Sequence, residues 1–232
     1  ASSGACASDG WADMSLITGT FAWVADHWDL MRTALIQHAE MSLWSLGLAL
    51  AIGIPLAISV LGRERLAALA INVVNTLRTI PSLAILAAAL PLLGIGLVPS
   101  VVALVVLALP PILLNTYIGL REVDADLVDA AAGMGMTRGQ ILRKVQIPLA
   151  APAIFAGMRT AAIQVISGAT LASFIGGGGL GDFITAGIAV MDQQRLLAGA
   201  IPIALLAMGV EILLGFAERR LFRDVREGGN AR

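Results

Sequence analysis

Long apolar stretches alternate with short polar ones along this chain, and the widest polar interval is 121–148. Met41–Leu61 carries no charge over 21 residues, close to the ~20 that cross a hydrocarbon core, and predicts a first membrane span. After the charged turn Gly62-Arg63-Glu64-Arg65 the chain is apolar again from Leu66 to about Leu93, with Arg78 and Pro81 inside, so a kinked second span is expected. No charge occurs from Thr79 to Leu120, about twice the length one span needs, and Pro91, Gly94, Gly96 and Pro99 mark the reversal between spans two and three. Ala151–Phe174 predicts a fourth span, with Arg159 inside it. Leu196–Phe216 predicts a fifth, with Glu211 inside it, after a loop from Ile175 to Arg195 that is glycine-rich and then polar.

Residues 14–40 place Leu16, Phe21, Trp23, Trp28, Met31 and Leu35 among Asp26, Asp29, Arg32 and Glu40. That is too charged to span. The tryptophans favour a helix lying at the membrane interface over a solvated leader helix. Residues 1–13 are small and polar without periodicity and predict little order. No basic stretch precedes an apolar core there, so no signal peptide is expected.

The polar interval has its own local code. Asp124 or Asp126 can cap a helix carrying Leu127, Val128 and Ala131 on one side, and Gly135 breaks it. Thr137 with Gln140 three residues on has capping-box spacing, and Ile141, Leu142 and Val145 give a second short helix an apolar stripe that Pro148 is expected to end. Two short helices at a glycine joint, hung between spans, make a knob that another protein can grip.

Composition agrees with the pattern: 58% of residues are hydrophobic, 13% charged, and mean hydropathy is +0.86, the profile of a membrane protein. Nucleic-acid binding has no support. Cys6 is the one cysteine, so there is no disulfide framework and no thiolate metal cluster, and His27 and His38 lack metal-ligand company. With the 62–65 turn, the polar interval and the tail on one side, that side holds eleven basic residues: Arg63, Arg65, Arg121, Arg138, Arg143, Lys144, Arg219, Arg220, Arg223, Arg226 and Arg232. The other side holds Arg32 and Arg195. The asymmetry predicts a cytoplasmic knob and tail and an outside N-terminus. The expected organisation is an all-α integral membrane protein: an extracytoplasmic segment over 1–40 with an interfacial helix, a domain of five core transmembrane helices over 41–216 with its polar loop at 121–148, and a cytoplasmic tail over 217–232.

Asp129-Ala130-Ala131, three residues, Gly135, nine residues, Val145, one residue, and Ile147-Pro148 resembles the EAA loop of ATP-binding-cassette importer permeases. Asp129 stands where that family usually has Glu, Val145 where it often has Ile, and Ile147 where it often has Leu. The resemblance implies the type I importer permease fold, two permease subunits forming the pathway as a homo- or heterodimer, and two copies of a separate ATPase subunit. It also implies an extracytoplasmic substrate-binding protein. The loop would dock on the ATPase through Asp129, Ala130, Ala131, Gly135, Ile141, Leu142, Val145, Ile147 and Pro148. No cofactor is expected in this chain, ATP and Mg belonging to the ATPase: the only lysine, Lys144, sits between Arg143 and Val145, outside any phosphate loop.

Thr76-Leu77-Arg78-Thr79-Ile80-Pro81-Ser82, Asn115-Thr116-Tyr117-Ile118-Gly119-Leu120, Gly157-Met158-Arg159-Thr160-Ala161, Ala169-Thr170-Leu171-Ala172 and Gly176-Gly177-Gly178-Gly179-Leu180-Gly181 resemble the osmoprotectant branch, the glycine betaine, carnitine and choline permeases. Methionine-importer permeases share the EAA loop and the glycine-rich turn and are the alternative, ahead of a channel or a structural subunit. Gly176, Gly178 and Gly181 fit a dinucleotide fingerprint literally but follow a span rather than a strand, so a turned loop near the substrate entrance is expected. An intramembrane hydrolase would need a polar set, which Ser167, Ser173 and Asp182 do not form with either histidine.

Arg78, Arg159 and Glu211, with Tyr117, are the candidate polar residues within the spans. Ionisable groups there turn to a protein interior, a cavity or the interface. They either line the translocation path or form structural pairs. A bare arginine repels a quaternary ammonium, whereas it can recognise a betaine carboxylate. Trp44, Tyr117, Phe155 and Phe174 are too few for a full aromatic cage, which leaves high-affinity capture to the binding protein.

Overall fold

The computed structural model describes residues 9–222, with side chains from Ser15 onward. Cys6 and the tail residues Arg223, Arg226 and Arg232 lie outside the described residues. Helix α1 (Asp9–Asp26) begins within the stretch that predicts little order and gives way to a turn at His27. There α2 (Trp28–Ser59) starts and runs on without a break through the first span. The boundary expected near Met41 is therefore absent. Asp29 in the first turn of α2 favours initiation at Trp28, and nothing in 28–41 breaks a helix.

The second span departs further from expectation. α3 (Glu64–Thr79) and α4 (Ser82–Leu93) meet at 97° rather than at a modest kink. Ile80 is extended because it precedes Pro81, which excludes it from the helical region. Gly94 and Gly96, both with positive φ, then reverse the chain into α5 (Leu97–Arg121). The polar knob follows as α6 (Ala125–Gly133) and α7 (Arg138–Ile141). α8 (Ile147–Ala169) continues as a 3-10 turn over Thr170–Ile175. Where the sequence predicts only a loop, α9 (Gly181–Val190) forms a short apolar helix, and α10 (Gln193–Leu221) closes the chain.

Two contacts define the ends of the molecule. At one, Arg121 pairs with Glu64 at 3.7 Å, and Ile58, Ile147 and Phe222 line one cleft, so the 62–65 turn, the knob and the end of α10 lie together. At the other, Gly96 donates its N–H to the Ile175 carbonyl at 3.0 Å. The bent α3–α4 pair connects these ends. Among the described residues four helices are each long and apolar enough to cross a membrane, and the bent pair, counted as one broken span, brings the number to five.

α5 is the central post, packed on α2 and α8 around Met41, Ala49, Leu104, Ala108, Ile112, Ala161, Val165 and Ala169. Small residues set the spacing. A Cβ on Gly157 of α8 would stand 2.7 Å from the Pro111 carbonyl oxygen and the Asn115 Cβ of α5. In hydrocarbon there is no hydrophobic force between helices, so this close approach supplies the van der Waals contact that holds them.

Candidate functional site

The knob is built by caps. The Asp124 side chain accepts from the Asp126 N–H at 2.9 Å and starts α6. Met136 N–H bonds to the Ala131 carbonyl and Gly135 N–H to that of Ala132, a Schellman closure with Gly135 at φ +81 in the position that favours glycine. Thr137 and Gln140 then form the expected capping box. Beyond it the structure corrects the sequence: Pro148 does not end the helix. The chain widens into a π segment over Leu142–Gln146, where Ile147 N–H reaches the Leu142 carbonyl. Pro148 follows as the second residue of α8, and the rod runs on past the N–H it lacks. The second half of the knob and the fourth span are thus one helical rod from Arg138 to Ile175.

The apolar stripe also divides. Ile141 and Ala131 are buried within the knob, Leu142, Val145 and Ile147 are half-buried, and Asp129, Ala130, Gly135 and Pro148 are exposed. Ile141 therefore serves the knob's own core rather than a partner's groove. The large apolar side chains exposed on the knob are Leu127 and Met134, the latter 76% exposed. The exposure of Met134 was not legible in the sequence because it follows from the closure at Gly135.

A cavity of about 450 Å³ lies along α3, α4, α5 and α8, with Arg78, Ser82, Gln164 and Ser167 in its wall. Val106, Leu107 and Pro110 line it too. Pro110 and Pro111 have no N–H, so the carbonyls of Val106 and Leu107 lack their helical donors beside a space that holds polar side chains to replace them. Arg78 is exposed at this break. Arg159 pairs with Glu211 and, at 3.1 Å, with Glu218, tying α8 to α10. Tyr117 is in neither place. It is buried among Ala57, Val60, Ala67, Val74 and Leu113, with its hydroxyl accepting from Arg121 at 3.4 Å, and so belongs to the packed interior rather than to a path.

At the end opposite the knob, α2 anchors the glycine-rich turn. The Thr170 N–H turns to the Ser167 carbonyl, and the buried His38 Nε2–H donates to the Ile166 carbonyl at 3.0 Å. Beside it the Gly179 N–H donates to Gln37 Oε1 at 3.2 Å. The only non-glycine residue with positive φ among those described, Met191, caps α9.

Residues 49–223 match the family described as binding-protein-dependent transport system inner membrane component. The chain belongs to this family. It is 46% identical over 197 residues to the carnitine transport permease protein OpuCB of Listeria monocytogenes, covering 83% of this chain and 90% of that one. It is 44% identical over 185 residues to the choline transport system permease protein OpuBB of Bacillus subtilis (strain 168), covering 80% and 85%. Among solved structures, a chain of the MetNI methionine ABC transporter in an inward-facing conformation superposes with a TM-score of 0.72 at 24% identity, covering 86% of this chain and 98% of that one. That similarity shows the fold, the type I importer permease with its helical spans. This inner membrane component is a multi-pass permease and not an enzyme: ATP hydrolysis belongs to a separate subunit.

Proposed function

We propose that this permease forms the translocation path of an ATP-driven, binding-protein-dependent importer for a quaternary ammonium compatible solute such as glycine betaine, carnitine or choline. The observation that carries the transport mechanism is the rod from Arg138 to Ile175: a capped, water-exposed knob continuous with a span that borders the polar cavity. Two permease copies, identical or closely related, form the path between them on two ATPase subunits, with ATP and Mg bound there and no cofactor in this chain. An extracytoplasmic binding protein delivers the solute. Closure of the ATPases on ATP draws the two knobs together, and each rod carries the motion to α10 through Arg159 and opens the path outward; hydrolysis resets it. The substrate class is supported by relatives named for carnitine and choline at 46% and 44% identity.

The knob lies in the cytoplasm and the N-terminus outside, as the distribution of arginine and lysine favours. In sealed right-side-out membranes, with Cys6→Ser as background, a cysteine at Gln193 is labelled from outside and one at Gln140 is protected; the reverse pattern sinks the orientation. The complete transporter in proteoliposomes accumulates a betaine-like or choline-like solute only with ATP. Methionine uptake without response to quaternary ammonium compounds moves the permease to the sister branch.

A further inference from the structure

Arg159 of α8 lies over a slot in α10 made by Gly215, where an added Cβ would stand 3.4 Å from the guanidinium carbon. Glu211 and Glu218 flank that slot at four residues before and three after Gly215, on one face of α10. The two carboxylates differ in access. The Glu218 side chain is 10% exposed and Glu211 36%, with Arg159 at 32%. Glu218 is therefore a fixed partner of the guanidinium. Glu211 and Arg159 instead border a cavity of about 300 Å³ together with Ala156, Thr160, Ile163 and Gln164. Gln164 also lines the larger cavity that holds Arg78, so the two spaces meet at that side chain. One oxygen of Glu211, Oε2, is buried without a hydrogen-bond partner among the described residues.

A carboxylate on a cavity wall suits a cation that has no N–H to give. A guanidinium in the same space still has N–H groups for a carboxylate, since two of its five are used by Glu211 and Glu218. The geometry points to a subsite for an ammonium carboxylate zwitterion, with Glu211 facing the ammonium head, Arg159 facing the carboxylate and Glu218 holding Arg159 in place. This rests on the permease function proposed above and names the residue that sorts its substrates. A cation without a carboxylate has only Glu211 to pair with, whereas a zwitterion has both groups. Arg219 and Arg220 do not cancel the carboxylate: both are exposed, Arg219 Nε donating to the Gly215 carbonyl at 3.2 Å and Arg220 lying 4.9 Å over the Phe216 ring.

Glu211→Gln removes the charge, keeps the shape and leaves Arg159 its bond to Glu218. Uptake of choline and of glycine betaine is measured with the complete transporter, wild type and variant, at equal membrane abundance. The same binding protein delivers both solutes in each case, so its preference cancels in the ratio. The choline-to-betaine ratio falls about tenfold in Glu211→Gln, the factor for losing one modest charge pair, and Glu211→Asp recovers most of it. An unchanged ratio overturns the subsite, whether both rates fall together or neither moves. A wild-type transporter that moves neither solute sinks the proposed substrate class, and the subsite with it, before any variant is made.

Discussion

The molecule uses glycine turns at both ends, and they do different things. At Gly135 in the knob, φ is +81 and an added Cβ would meet nothing within 4 Å. At Gly179 in the opposite turn, φ is +88 and an added Cβ would stand 3.3 Å from His38 Nδ1, while one on the neighbouring Gly177 would stand 2.9 Å from both the Cβ and the carbonyl oxygen of Ala172. The knob needs glycine for a backbone angle alone. The other turn needs it for space as well, because it is seated on α2 and on the end of α8. Substitution should therefore disturb coupling at one end and assembly at the other.

The largest effect is expected at the packed turn. Gly177→Val drives a branched side chain into a carbonyl that cannot move without its helix, and overpacking of this kind costs about 1–3 kcal/mol. Membrane abundance should fall sharply, with a lower unfolding midpoint in detergent. Wild-type abundance would show that the turn is free to shift, and the contrast with the knob would collapse. His38→Ala comes next. It leaves the Ile166 carbonyl without its donor, a loss of about 1–3 kcal/mol for a buried polar group. His38→Gln, which can keep an N–H near that carbonyl, should lose less; equal losses from the two variants would remove the hydrogen bond from the account.

At Gly135 the expected change is smaller and of another kind. The open space rules out a clash, so the cost is the strain of an L-residue at positive φ, about 1–2 kcal/mol. Asn accepts this angle better than most side chains, and a β-branched residue worse. Gly135→Val should keep normal membrane abundance and lose most ATP-dependent uptake, while Gly135→Asn retains a larger share. If both variants lose uptake equally, the partner's approach to this exposed surface matters rather than the angle, and the knob's glycine becomes a contact residue.

The difference between the ends also explains what was legible. Caps and closures in the knob involve residues two to five apart, and Asp124, Gly135, Thr137 and Gln140 all stand where the pattern puts them. The π segment escaped because Pro148 in water reads as a stop, and only the continuity of the rod shows that a wider turn carries it. The glycine-rich stretch concealed α9, since four glycines outweigh ten apolar-rich residues that become helical once packed on α10. The Arg159 pairs join residues 52 and 59 apart in sequence, so composition could expose the unpaired charges but not their partners. Tyr117 shows the same limit from the other side: a polar ring in a span invites a pathway role, and its burial between α2, α3 and α5 is a tertiary fact.

The smallest effect belongs to the capping box. Thr137 N–H donates to Gln140 Oε1 at 2.8 Å, and the Gln140 N–H donates to Thr137 Oγ1 at 3.4 Å. Removing such a cap costs about 0.5–2 kcal/mol. An isolated four-residue helix could not survive that, but α7 is the first turn of a rod that runs on to Ile175 and is held by α5 and α10. Thr137→Ala should therefore leave abundance and unfolding midpoint unchanged. It should loosen only the first turn, where the chain leaves Gly135. The readout is ATP turnover stimulated by loaded binding protein: a reduction of a few-fold is expected for Ala, with Thr137→Ser, which keeps the oxygen, close to wild type. Turnover in Thr137→Ala equal to wild type would mean that the rod alone holds the knob in register and that the capping box contributes nothing to coupling.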